Sequence, residues 1–265
     1  MKKFYAVLNT IVVVFVIFWN YWSNTGAING QTVGELSDKY ANLFTPAGYA
    51  FAIWGLIFLG LLVLVGNQLW LAFRGGVHDE TIEQIGPWFS IANVGNAAWL
   101  WFWLHEQMGL SVLVMLMILF SLVQVVLRLN MERWDAPLRV IATVWWPICL
   151  YSGWIAVATI ANIAAWLTSI QWSMGLTEVQ WTVVMISVAG VLNLLMIFTR
   201  NMREFASVGV WAIVAIAVRH WGEIPTLQWT SVAWVVILSA AIMYHAYKNR
   251  HHGPFRRRSG SVGTA

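Results

Sequence analysis

The sequence predicts an all-α polytopic membrane protein with eight transmembrane helices. Three observations carry that reading. Of 265 residues, 60% are hydrophobic and 10% charged, with a mean hydropathy of +0.68, which lies outside the soluble globular range. Mostly apolar segments, close to the roughly 20 residues that cross hydrocarbon, recur at about 4–22, 46–73, 87–104, 108–128, 138–168, 178–199, 205–220 and 227–247. With eight crossings, 13 of the 15 Lys and Arg residues share one side and only Lys39 and Arg219 take the other. The excess marks the cytoplasmic side. Both termini are therefore expected in the cytoplasm, with the protein in a bacterial inner (cytoplasmic) membrane. Helices are required because open strand edges cannot satisfy their backbone in lipid.

The first span follows Lys2 and Lys3. Its apolar run is too long for a signal peptide and lacks a small-x-small cleavage site, so it reads as a retained helix. Residues 23–44, with Asn24, Gly26, Asn29, Gly30 and Gly34, form a long connection on the outer side. The third span opens on Pro87, which suits a first helical turn. The fifth contains Pro147, expected to kink it, and Cys149, the single cysteine, which excludes an internal disulfide. Trp19, Trp22, Trp88, Trp134, Trp172, Trp221 and Trp229 lie near span ends as interfacial anchors. The basic tail at 248–265 reads as a solvated segment near anionic lipid, with no nucleic-acid partner.

Several function classes are disfavoured. All eleven acidic residues fall in loops or at span ends, whereas ion-coupled transporters carry an ionisable group inside the membrane. No mid-membrane lysine is present for a retinal Schiff base, and no histidine pair within a span has the spacing of metal or haem ligands. No nucleophile–base pair, phosphate loop or paired carboxylates stand out, so neither a catalytic constellation nor a metal site is expected.

The positive signal is aromatic. Nineteen tryptophans are present, and Trp99, Trp101, Trp103, Trp145, Trp146, Trp154 and Trp166 fall inside spans rather than at their ends. Asn96, Trp99 and Trp103 repeat at helical spacing on one span, and Trp154, Asn162 and Trp166 on another, so each set shares a helix face. Buried asparagine often only joins neighbouring helices. Indole faces and a few carboxamides in an apolar setting also suit a lipophilic ligand.

The stretch Leu150–Trp166, LYSGWIAVATIANIAAW, resembles the fifth helix of the tryptophan-rich sensory proteins, the TspO/MBR family that includes the mitochondrial translocator protein. Tyr151, Trp154, Ala158, Thr159, Asn162 and Trp166 fall in register, while Leu150 replaces the family's leading proline. Asn96, Trp99 and Phe102 resemble the third-helix pattern. Thr45, Pro46, Phe51, Trp54 and Phe58 more loosely resemble the passage into the second helix. The resemblance covers about 4–168 and implies a five-helix core, to which 169–247 adds three helices that the motifs leave unexplained. It further implies a loop that caps a pocket, and a porphyrin or other flat hydrophobic pigment bound without covalent attachment. Tyr49, Trp54, Asn96, Trp99, Trp154, Ala158 and Asn162 are the expected lining. A sensor, regulator or carrier role follows, in contact with membrane lipid and with a homodimer as the family's assembly. An uncoupled transporter of a lipophilic metabolite and a pigment-modifying enzyme are the alternatives.

Overall fold

The computed structural model describes residues 1–172 and 175–249, so most of the basic tail lies outside the described residues. Among these, every regular element is helical. Helix α1 (Lys2–Trp22) runs into a π turn at Ser23–Ala27. A short helix, α2 (Val33–Lys39), interrupts the long connection that follows. It is started by a capping box in which the Thr32 hydroxyl accepts from the Glu35 amide and the Glu35 carboxylate accepts from the Thr32 amide. A 3₁₀ turn at Gly48–Ala52 leads into α3 (Ile53–Arg74).

Helix α4 (Thr81–Leu104) is broken at Gly86 (φ 51°, ψ −140°), so its membrane-length part begins at Pro87. Helix α5 is Met108–Arg128. The fifth predicted span comprises α6 (Leu138–Val140), a π turn at Ile141–Trp145 and α7 (Trp146–Ser169). Proline has no N–H to give the preceding turn, and the π turn directly before Pro147 takes up that mismatch. The chain finishes with α8 (Glu178–Arg200), α9 (Arg203–Arg219) and α10 (Pro225–Lys248).

Among the described residues, six helical stretches are long and apolar enough to cross a membrane: Lys2–Ala27, Gly48–Arg74, Met108–Arg128, Leu138–Ser169, Glu178–Arg200 and Pro225–Lys248. The other two expected spans are helices that fall short of this measure. Helix α9 has 17 residues. In α4, Ser90, Asn93, Asn96 and four tryptophans dilute the aliphatic content.

Helices α3, α1, α4, α5 and α7 pack in that order, and α7 returns to α3 to close a ring. Helices α8, α9 and α10 pack on one another, and α9 lies against α7. Lipid offers helices no hydrophobic drive to associate, so close contact at small residues and buried hydrogen bonds must hold them. Gly153 of α7 meets the α9 backbone: a methyl there would stand 2.8 Å from the Phe205 carbonyl oxygen and 3.2 Å from its Cα. Polar ties join the ring. Asn9 Nδ2 donates to Gln68 Oε1 at 3.0 Å and Ser90 Oγ donates to Asn9 Oδ1 at 2.6 Å, linking α1, α3 and α4.

The Gly153 contact makes a prediction. Gly153→Ala should overpack the α7–α9 seam by about 1–3 kcal/mol, seen as a lower melting temperature in detergent. Gly55→Ala, whose added methyl meets nothing within 4 Å, should leave melting nearly unchanged.

Candidate ligand-binding cavity

A cavity lies among α3, α4, α5, α7 and α9, towards the end that carries α2. Trp54 of α3, Asn96 and Trp99 of α4, and Trp154, Ala158 and Asn162 of α7 all line it. Six of the seven residues expected from the sequence therefore converge. Tyr49 does not: it lies in the 3₁₀ turn, is 41% exposed, and meets Trp211 edge-on with ring centroids 5.3 Å apart. One residue of turn geometry decides this, because the same turn directs Phe51 inward against Trp154. Trp101 and Trp146, also mid-span, have outward faces that are substantially exposed.

Aromatic rings form two groups. On α4, Trp99 and Trp103 stack at 5.7 Å with planes 22° apart. In the other group, Phe51 meets Trp154 edge-on at 5.9 Å, and Trp54 packs on Phe58 and Tyr151. Helix α7 also lines the cavity with Ala158, Ala161 and Ala165, whose small side chains leave free space. The free volume is about 60 Å³, room for a few waters, against roughly 300–1,000 Å³ for sites that bury a drug-sized molecule.

The carboxamides are spent largely on the protein itself. Trp99 Nε1 donates to Asn162 Oδ1 at 2.6 Å, and Asn162 Nδ2 donates to Ser111 Oγ at 2.8 Å, joining α4, α7 and α5. Asn20 Nδ2 donates to Asn96 Oδ1 at 3.0 Å, tying α1 to α4. Unmade hydrogen bonds in lipid are costly, so these bonds hold the walls in place while also edging the cavity.

The lid is the segment from α2 to Pro46, with Val33, Ser37, Phe44, Thr45 and Pro46 lining the cavity. It is fastened on two sides. Lys39 Nζ lies 2.6 Å from Glu106 Oε1, and the Tyr40 hydroxyl also donates to Glu106. The Lys39 ammonium, and then the Tyr40 hydroxyl, hold the Glu106 carboxyl below its ordinary range. On the other side Arg219 Nη1 donates to Asp38 Oδ1 at 3.3 Å and to the Pro46 carbonyl at 3.2 Å, and His220 Nε2 lies 2.7 Å from the Leu43 carbonyl. Helix α9 supplies this second fastening and, through Ala212 and Ile216, part of the cavity wall. Nothing in the sequence marks Ala212 or Ile216. By contrast, Phe51, Thr45 and Pro46 belong to the quoted motif, and Ala161 and Ala165 continue the small-residue spacing from Ala158.

A second polar cluster lies at the opposite end, where the carboxylates of Glu132 and Glu204 and the Cys149 thiol place ligand-type atoms within 4.8 Å of one another. The sequence suggested only acids at loops and span ends. The fold draws these two inward because α9 starts deep against α7, at the level of Gly153. Glu132 stands in the connection after α5, and its carbonyl accepts from Asn201 Nδ2 at 2.8 Å. Burial, and then the neighbouring Glu204 charge, push the Glu132 carboxyl up to about 7, with Arg203 opposing.

A family model described as TSPO-like protein matches residues 6–244. The matched length takes in α8, α9 and most of α10, which the sequence motifs left unexplained. No curated protein and no solved structure matches the chain.

Two predictions follow from these networks. Asn162→Ala should cost about 0.5–2 kcal/mol, and Trp99→Phe combined with it should cost less than the sum of the single changes, because both remove one bond. A double-mutant cycle on melting in detergent checks this. For Glu132 the folded carboxyl titrates above its ordinary 4.5, near 7, so the folded state takes up the proton first and gains stability as pH falls through that window. Glu132→Gln should therefore raise stability by about 1–3 kcal/mol at pH 8 and by almost nothing at about pH 4, below the unfolded value. A melting series across pH reads the difference.

Proposed function

We infer that this chain, which belongs to the TSPO-like protein family, binds a flat hydrophobic molecule of the tetrapyrrole class in the Trp-lined cavity. Its role would be that of a sensor, regulator or carrier. The observation that carries the reading is that two aromatic pairs, Trp99–Trp103 and Phe51–Trp154, line one cavity together with three alanines of α7. Indole faces stack on extended π-systems, and an all but apolar slot favours a guest that leaves water for stacking contacts.

The described conformation is closed, and its free volume of about 60 Å³ is too small for a tetrapyrrole. Binding then requires the lid to move and the walls to part. Ala158, Ala161 and Ala165 line the cavity and keep that part of it free of bulk. The ionic fastenings of the lid are exposed enough to be exchanged for water at modest cost.

In the membrane the reading uses eight crossings, with α4 and α9 completing the set. Tight packing of α4 within the ring and of α9 against α7 compensates for their lower apolarity. Both termini then face the cytoplasm of a bacterial inner membrane, by the distribution of Lys and Arg, and the lid faces outward. Because the lid end meets the outer aqueous phase, a guest arriving from that side reaches the cavity without crossing the bilayer. Facilitated passage of a lipophilic metabolite is the second reading.

Protoporphyrin titrated into the detergent-solubilised protein should quench Trp fluorescence saturably. Ala158→Leu fills part of the cavity and should weaken that binding by about tenfold or more, the cost of forcing extra methylenes into a packed site. Arg219→Ala should speed the approach to saturation by releasing one side of the lid. Unchanged quenching by Ala158→Leu would place the porphyrin elsewhere.

A further inference from the structure

We propose a second, chemically distinct site: an outward-facing cleft that binds organic cations. A cavity of about 400 Å³ lies between the end of α7 and the start of α8, with Asn42 and Leu43 of the lid forming its third side. Its volume is within the range of small-molecule sites, and it is several times roomier than the inner cavity. The two share a wall, since Leu43 faces this cleft and the adjacent Phe44 lines the inner one.

The chemistry differs from that of the inner cavity. The indoles of Trp172 and Trp181 stand 5.9 Å apart with their planes 34° from parallel, and both line the cleft. Glu178, in the first turn of α8, adds a carboxylate, and no Lys, Arg or His is among the described residues that line the space. An aromatic pair and a carboxylate in one lining attract a cation, through the ring quadrupoles and the carboxylate together. Gln171 and Asn42 add polar edges, whereas the inner cavity has no charged residue in its lining. A carboxylate-bearing tetrapyrrole would meet repulsion from Glu178, so the two sites select opposite kinds of guest. The cleft stands as a site whether or not the inner cavity binds its own ligand.

Two probes of the same shape and opposite charge test this. Tetraphenylphosphonium and tetraphenylborate are each titrated calorimetrically into the full chain in neutral detergent, with protein-free micelles as the blank. The phosphonium should bind saturably, one per chain, and the borate should not. Glu178→Gln and Trp181→Ala should each weaken phosphonium binding by about tenfold, with far-UV dichroism and melting as checks on the fold. The conservative Trp172→Phe should retain most of the affinity, and Ala158→Leu, in the inner cavity, all of it. Phosphonium heats equal to those of empty micelles overturn the proposal. So does undiminished binding by a folded Glu178→Gln variant, or equal binding of the borate. Loss of porphyrin binding alone would leave this site intact.

Discussion

Everything in this fold depends on the Trp99–Asn162 hydrogen bond and the constraint behind it. Inside a bilayer a polar group finds no water, so each carboxamide must be answered by another part of the chain. Asn162 is answered twice, by Trp99 of α4 and Ser111 of α5. One side chain on α7 thereby sets the spacing of three helices, and the space that remains beside it is the cavity. Asn20 and Asn96 do the same between α1 and α4. Helix glue and cavity lining are in this protein the same residues.

The closed lid follows from a different balance. Its contacts with Glu106 and Arg219 are ion pairs at the rim, where solvent screening keeps each weak. The seam between α7 and α9, in contrast, is packed at Gly153 closely enough that a single methyl would collide with backbone. A rigid frame under a lightly held cover is what a site needs if its guest must come and go. Because α9 both lines the cavity and fastens the cover, it is part of the cavity's construction.

Much of this was legible in the chain. Helix positions followed from apolar length, and α5 begins and ends where the sequence places it. The convergence of Trp54, Asn96, Trp99, Trp154, Ala158 and Asn162 followed from helical spacing joined to the family motif. What was hidden depends on tertiary geometry. Tyr49 precedes Phe51 by two residues in a 3₁₀ turn, and pattern alone cannot say which ring turns inward. The π turn before Pro147 is likewise not announced by apolar length or by the proline alone. Ala212 and Ile216 look like any apolar helix positions until α9 is packed on α7. Glu132 and Glu204 are 72 positions apart in the numbering and meet only because α9 starts deep.

The central claim is that the guest reaches the inner cavity through the lid held between α2 and α9. It is tested most directly by locking that lid. Asp38→Cys and Arg219→Cys, in a Cys149→Ser background, would be bridged by a short bifunctional thiol reagent, and protoporphyrin binding measured before and after. The account predicts that the unbridged protein binds and the bridged protein does not. Equal affinity in both would show that the porphyrin takes another route or another site, and would contradict it.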